Sequence, residues 1–170
     1  MNINWYPGHM AKAIREIKTK IKLVDLIIEI IDARAPISSR NPVFNDVDKE
    51  RLIILTKSDL ADEKITKLHI EKLEENKKSK VISLNLLSDF NLKILFDKLD
   101  EVMKERNKRK IARGLKISSY KAIVIGIPNV GKSTFINKIT RRKAAPSANT
   151  PGFTKAQRWV KTDKIELLDT

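Results

Sequence analysis

Short runs of apolar residues alternate along the chain with longer segments in which apolar positions recur every three or four residues. The runs are typical of strands buried on both faces, and the longer segments are typical of amphipathic helices. The runs predict five strands, at Leu23–Ile31, Leu52–Thr56, Val81–Leu84, Lys121–Ile127 and Ile165–Asp169. The segments between them predict four helices, at about Met10–Lys22, Ala61–Lys77, Asn91–Ala112 and Lys132–Lys143. This alternation predicts an α/β fold of three layers, with a mostly parallel sheet and helices on both faces.

Length and composition narrow the class of protein. The chain has 170 residues, of which 41% are apolar, which fits one domain on the usual prior of about 100–200 residues. Cysteine is absent, which excludes a disulfide framework, a thiolate metal site and a cysteine nucleophile. The first residues lack the apolar core of a secretory signal, and no apolar stretch approaches the ~20 residues of a membrane helix. We therefore expect a soluble cytoplasmic protein, monomeric and without a membrane partner.

The charge balance indicates a polyanionic partner. The chain has 35 Lys and Arg residues and 21 Asp and Glu residues, so its net charge is +14. Such a charge favours nucleic acid or an anionic membrane as the partner. The alternative is that many of these charges only solvate the surface. Segment 104–116 carries seven basic residues and one acid, and it predicts a basic linker at about 104–120 that contacts phosphates. It could equally be a solvated helix end, where cations suit the dipole.

Two further basic groups lie outside the linker. In the first predicted helix Ile14, Ile17 and Ile21 share one face, and the cations fall elsewhere, at Lys12, Arg15, Lys18, Lys20 and Lys22. A second group is Lys138–Lys143. Aromatic residues make up only 5% of the chain, so backbone and shape contacts to folded RNA fit better than stacking on single-stranded bases.

The segment "GIPNVGKST", from Gly126 to Thr134, matches the phosphate-loop pattern G-x-x-x-x-G-K-[ST]. It follows a predicted strand and opens a predicted helix, as the motif requires. Backbone N–H groups of such a loop wrap a phosphate, and the helix N-terminus adds partial positive charge. Lys132 would reach the β- and γ-phosphates and Ser133 would ligate Mg²⁺. The predicted phosphate-binding residues are Asn129, Val130, Gly131, Lys132, Ser133 and Thr134.

The segment "TKSD", from Thr56 to Asp59, ends an earlier predicted strand and looks like a guanine-reading loop. The Asp59 carboxylate could accept from guanine N1–H and the exocyclic amine, a donor pair that adenine lacks, while the Lys57 stem lies along the base. Alone, Lys-x-Asp is a weak signal, and a chance tetrapeptide in a phosphate-loop ATPase is the alternative. A loose resemblance to the loop whose backbone touches the guanine oxygen is found at Ser83, Leu84 and Asn85. An ordinary strand end explains these residues equally well.

These motifs occur in an unusual order. The guanine loop (56–59) and base-backing loop (83–85) precede the phosphate loop (126–133), whereas ordinary G domains have the reverse order. Segment 144–157 then looks like a first switch, in which Thr154 would complete Mg²⁺ coordination. Residues 169–170 resemble the start of Asp-x-x-Gly, in which Asp169 would hold an Mg²⁺-bound water. The order predicts a circularly permuted GTPase domain over residues 1–170.

"NWYPGHMAKA" (Asn4–Ala13) and "DARAPISSRNP" (Asp32–Pro42), ahead of the phosphate loop, resemble the ribosome biogenesis GTPase A (RbgA/YlqF) family of circularly permuted GTPases. The resemblance covers essentially the whole chain. It implies an assembly factor that binds the large ribosomal subunit and its rRNA, and whose GTP hydrolysis the particle stimulates. It also implies GTP/GDP, Mg²⁺ and K⁺ as cofactors.

The resemblance assigns two further residues. His9 matches a histidine proposed to orient or activate the attacking water, since the family lacks a catalytic glutamine; helix capping or packing is the alternative. Asn129 matches the asparagine that binds K⁺ beside the phosphates, although it could simply suit the loop.

The chain departs from the family pattern at two points. Thr56 stands where asparagine is usual in the guanine loop. The glycine of Asp-x-x-Gly and the family's C-terminal RNA-binding domain do not occur in these 170 residues, so we expect low intrinsic hydrolysis. An alternative function is a nucleotide-gated RNA-binding module with incidental turnover.

Overall fold

A six-stranded sheet forms the centre of the protein in a computed structural model, which describes residues 8–88, 90–140 and 159–168. The strands are β1 (Leu26–Asp32), β2 (Arg51–Thr56), β3 (Ser79–Ser83), β4 (Tyr120–Ile125), β5 (Trp159–Lys161) and β6 (Ile165–Leu168). Their order in the sheet is β3-β2-β1-β4-β6-β5. All neighbouring pairs are parallel except β5 and β6, which are antiparallel.

The helices are α1 (Gly8–Ile21), α2 (Glu63–Glu74), α3 (Leu92–Ala112) and α4 (Lys132–Thr140). They cover both faces of the sheet, and alternate residues of β1 show this. Leu26, Ile28 and Ile30 share a core with α3 and α4. Ile27 packs with Ile17 and Ile21 of α1, and Ile31 packs in a cluster with Ile70 and Leu73 of α2. Because a strand turns successive side chains to opposite faces, one apolar run serves two cores, and the predicted three-layer architecture is confirmed.

The element boundaries differ from the predictions where local hydrogen bonds decide them. Residues 23–25, predicted as strand, form the exit from α1, because the amides of Lys22, Leu23 and Val24 donate to α1 carbonyls. The Lys49 ammonium donates to the carbonyls of Ile21 and Val24 at this exit, at 2.8 and 2.7 Å. Helix α2 begins after Asp62, whose carboxylate accepts from the Ile65 amide. Strand β5 was not predicted.

The basic linker predicted at about 104–120 begins later than expected. Residues 104–112 continue α3, which ends at Ala112, and the left-handed Gly114 follows it. Arg106 anchors this end of the helix, because its guanidinium donates to Asp25 at 2.6 Å. The helical interpretation of this basic stretch is therefore the one the structure supports up to Ala112.

None of the described helices is long and apolar enough to cross a membrane.

Candidate nucleotide-binding site

Four loops open at the same edge of the sheet, because parallel strands end there together. The register pairs Asp32 with Thr56 and Leu55 with Ser83 at the ends of β1, β2 and β3. Strand β4 pairs with the other side of β1 and ends at Ile125. The loops after these strands hold the predicted guanine, base-backing and phosphate-binding residues.

The phosphate loop runs from Gly126 to Gly131 between β4 and α4. Asn129 and Gly131 have φ angles of 68° and 100°, a region that favours glycine and tolerates asparagine. A Cβ added at Gly126 would lie 3.0 Å from the Ile30 carbonyl oxygen, so a side chain there would displace the backbone. Val130 is buried, and Lys132, Ser133 and Thr134 form the first turn of α4.

The guanine loop is bonded directly to the phosphate loop. The buried Thr56 hydroxyl donates to the Val130 carbonyl at 2.5 Å, and the Lys57 ammonium donates to the Asn129 carbonyl at 2.8 Å. Two successive side chains therefore hold two successive carbonyls that lie more than 70 positions further along the chain. Thr56, the departure from the family pattern, makes the first of these contacts.

Asp32 fixes the Lys57 side chain from the neighbouring strand. Its carboxylate lies 3.2 Å from the Lys57 ammonium and accepts from the Arg34 guanidinium at 3.0 and 2.8 Å. The Arg34 hydrogen bonds hold the pKa of Asp32 well below its ordinary value of 3.8. Asp32 is thus ionised at neutral pH and completes a chain of contacts from Arg34 to the phosphate loop.

Asp59 lies in a single 3-10 turn, Ser58–Leu60, that follows Lys57. Lys57 has a φ of 57°, which turns the backbone sharply after β2. The Asp59 side chain is exposed, and within the described residues it accepts no hydrogen bond. Its carboxylate is therefore available to a ligand at this edge.

The loop after β3 also reaches the phosphate loop. Ser83 ends β3, the Leu84 amide donates to the Leu55 carbonyl at 2.8 Å, and the Asn85 side chain accepts from the Leu87 amide. Next to it, Leu86 is buried, and its Cδ1 would lie 3.3 Å from a Cβ added at Gly131. The guanine, base-backing and phosphate loops therefore converge on one place.

Three predicted residues are not located by the structure. Thr154 and Asp169 lie outside the described residues, as does segment 144–157. His9 falls in the first turn of α1, but its side chain is not among those described.

No motif in the sequence indicates that Asp32, Arg34 or Leu86 lies at the candidate nucleotide site. Asp32 could have been found from its position, since it ends a buried strand as Thr56 does. Nothing in the sequence signals the contact between Leu86 and Gly131.

Comparison with known proteins agrees with this geometry. Residues 121–170 match a family model described as "50S ribosome-binding GTPase". Over the full chain, the ribosome biogenesis GTPase A of Bacillus cereus is 43% identical, and the chain covers 58% of it. The mouse mitochondrial ribosome-associated GTPase 1 is 38% identical over 89% of the chain and 48% of its own length. The GNP-bound crystal structure of YlqF from Thermotoga maritima superposes with a TM-score of 0.65 and 31% identity, over 94% of this chain and 57% of that one.

The chain belongs to the ribosome biogenesis GTPase A family. Its fold is that of a circularly permuted GTPase domain. The chain spans about 60% of the length of the ribosome biogenesis GTPase A sequences from Bacillus cereus and Bacillus licheniformis. The similarity to these relatives confirms the resemblance on which the sequence interpretation relied.

Proposed function

We propose that this chain is the nucleotide-binding part of a GTPase that assists assembly of the large ribosomal subunit, with hydrolysis stimulated by the particle. The observation that carries the proposal is the pair of bonds from Thr56 and Lys57 to the Val130 and Asn129 carbonyls. They join a base-reading loop to a phosphate loop across one sheet edge. Relatives named ribosome biogenesis GTPase A and mitochondrial ribosome-associated GTPase 1 support the ribosomal partner.

In the proposed complex each loop binds one part of GTP or GDP. Backbone amides of residues 129–134 surround the β-phosphate, and Lys132 pairs with the β- and γ-phosphate oxygens. Asp59 accepts from the two guanine donors, and the Lys57 stem lies along the base. Residues 83–85 face the guanine oxygen with their backbone.

The metal ions of the proposal fit the side chains present. Ser133 is exposed in the first turn of α4, and its hydroxyl is a hard oxygen ligand of the kind Mg²⁺ prefers. Asp32 is not available as a ligand, because Arg34 and Lys57 already occupy its carboxylate. Thr154 and Asp169 would supply the remaining Mg²⁺ contacts. Mg²⁺ supplies charge neutralisation at the phosphates when bound.

Asn129 is exposed in the phosphate loop and is the proposed K⁺ ligand.

His9 is the proposed positioning group for the attacking water. Helix α1 precedes β1, which lies beside β4 and its phosphate loop. Ala13 and Ile14 of α1 line one cavity with Gly126 and Lys132, so this part of α1 lies beside the loop that holds the γ-phosphate in this proposal.

Base preference is the first test. GDP and ADP affinities are compared, with Mg²⁺ present, in the wild type, Asp59→Asn and Asp62→Asn. We expect a strong guanine preference that Asp59→Asn lowers at least about tenfold, because a hydrogen bond to a charged group contributes about 1.5–3 kcal/mol. Asp62→Asn is the matched control, since asparagine caps a helix as well as aspartate does. Equal affinity of the wild type for both nucleotides would show that residues 56–59 do not read the base.

The ribosomal step is tested by single-turnover hydrolysis with and without large subunits. We expect stimulation by the particle; a rate that large subunits leave unchanged would favour the nucleotide-gated RNA-binding module instead. RNA binding should weaken steeply between about 50 and 200 mM salt, because cations that neutralise phosphates release counterions. A cytoplasmic monomer is part of the same proposal, and sedimentation tests the monomeric state.

A further inference from the structure

A cavity that shares no lining residue with the candidate nucleotide site lies against one face of the sheet. The β1–β2 connection contains only a 3-10 turn, Pro42–Phe44, where such a crossover usually has a helix. The sheet face between this connection and α2 is left with a cavity of about 710 Å³. Arg51 and Ser79, the first residues of β2 and β3, line it. It therefore extends to the amino edge of the strands, and at its other end it reaches residues 36–38, which follow β1.

The wall of this cavity contains two guanidinium groups that share one carboxylate. Glu29 is 2% exposed and accepts from Arg40 at 2.9 Å through each oxygen, and from Arg51 at 2.8 Å. Arg51 is itself 4% exposed. Both arginines line the cavity, whereas Glu29 is not among its lining residues. Two guanidinium groups pair with one carboxylate, so this group of three side chains has an excess of one positive charge.

Helix α2 adds further polar groups on the opposite wall. Lys72 and His69 line the cavity, and in the part of the chain that the structure describes Lys72 forms no ion pair. Glu75 is the acidic residue among the lining side chains. Asn76 also lines the cavity, and its side-chain oxygen accepts from the Lys78 amide at 3.0 Å. The Lys72 ammonium and the Asn76 amide are donors that suit a phosphate, and the guanidinium groups of Arg40 and Arg51, which are bonded to Glu29, add positive charge beside them.

We propose that this cavity, which we call the triad cavity after Glu29, Arg40 and Arg51, binds a backbone phosphate of RNA. The inference extends the proposed function, on which its choice of RNA rests: the net charge of +14 indicates a polyanionic partner, and the triad cavity provides a defined place for it. None of the residues that line the triad cavity belongs to the guanine, base-backing or phosphate loop. The protein could therefore hold RNA and nucleotide at the same time.

Two matched pairs of variants test the proposal in the full 170-residue chain. Lys72→Gln removes a cation from the triad cavity, and Lys67→Gln removes one from the same helix outside it, where Lys67 is exposed beside Glu63. Asn76→Asp adds an anion inside the cavity, and Asn91→Asp adds one outside. Both asparagines accept from a backbone amide two residues later, which aspartate can also do, so folding should be preserved.

Affinity for an RNA duplex of about 16 base pairs is measured by fluorescence anisotropy over a series of salt concentrations. For Lys72→Gln we expect weaker binding and a log–log salt slope reduced by about 0.9, the value for one lost phosphate contact. Asn76→Asp should weaken binding in the same way. Lys67→Gln and Asn91→Asp should keep the wild-type slope, and all four variants should keep the wild-type GDP affinity.

Equal effects within each pair would overturn the proposal. It would also be overturned if inorganic phosphate shifted the amide resonances of residues 72–76 and RNA did not, because the cavity would then bind a free anion. Failure of the proposed function has a different signature, namely a wild type without guanine preference or without stimulation by large subunits. The RNA measurements on the triad cavity do not depend on either result.

Discussion

The contact between Asp32 and Lys57 predicts that a carboxylate outside the recognised motifs contributes to nucleotide affinity. The Asp32 side chain is 12% exposed and that of Lys57 32% exposed, and their charged atoms lie 3.2 Å apart. Lys57 in turn donates to the Asn129 carbonyl of the phosphate loop. In Asp32→Asn the ammonium loses its charge partner, and we expect Lys57 to be less ordered before nucleotide binds.

The size of the effect follows from the geometry of the pair. Coupled residues in contact interact by about 0.5–3 kcal/mol, and the partial exposure of Lys57 places this pair in the lower half of that range. A coupling of about 1 kcal/mol corresponds to about a fivefold change in the dissociation constant for GDP. The preference for GDP over ADP should not change, because Asp59 supplies it.

A double-mutant cycle separates this contact from the other partner of Asp32. GDP affinity is measured by titration calorimetry for the wild type, Asp32→Asn, Lys57→Met and the double variant, and thermal melting checks that each is folded. The contribution of Arg34 is present in both backgrounds and cancels. We expect Asp32→Asn to cost about fivefold more affinity when Lys57 is present than when it is methionine. An equal cost in both backgrounds would refute the positioning role and leave Asp32 as a structural partner of Arg34.

Three further predictions concern single side chains that hold neighbouring segments by hydrogen bonds or charge. Thr56→Val should destabilise the fold by about 1–3 kcal/mol and weaken GDP binding, because it leaves the Val130 carbonyl without its donor; Thr56→Ser, which retains the hydroxyl, should restore both in urea unfolding and nucleotide titrations. Lys49→Met should lower the unfolding midpoint in urea, because the carbonyls at the exit of α1 lose their shared donor, whereas Lys64→Met on the exposed face of α2 should not. Asp32, whose pKa is lowered by folding, stabilises the protein above its ordinary value of 3.8 and loses that contribution as the pH falls below it. Below about pH 4 the stability should therefore fall less steeply toward acid in Asp32→Asn than in the wild type, and a parallel decline in both proteins would contradict the assignment.

The sheet could be predicted from the sequence because strands buried on both faces appear as continuous runs of apolar residues. Five apolar runs were sufficient to identify β1, β2, β3, β4 and β6, and only their ends moved. Strand β5 has three residues, none of them buried, and it is held by antiparallel pairing with β6. A segment of this length carries no periodicity that could distinguish it from a loop.

The candidate site was predictable where backbone geometry requires particular residue types. Gly126 and Gly131 are needed because a Cβ would meet the Ile30 carbonyl or Leu86, and such constraints appear in sequence as a motif. The contacts of Asp32 depend instead on the register between β1 and β2. A one-residue change of register would point Asp32 to the other face of the sheet, and no short sequence pattern specifies that register.

The early position of the guanine loop has a structural explanation in the order of the strands. Strand β1 lies between β2 and β4, so the loops that follow β2 and β4 meet across the end of β1 whichever of them comes first along the chain. Asp32, at the end of β1, is linked to both sides: it pairs directly with Lys57, and Lys57 donates to the Asn129 carbonyl. A nucleotide site assembled from strand ends therefore depends on which strands are neighbours and not on chain order. For the same reason, a site of this kind can be permuted without loss only if the cut leaves the central strand and its two neighbours paired.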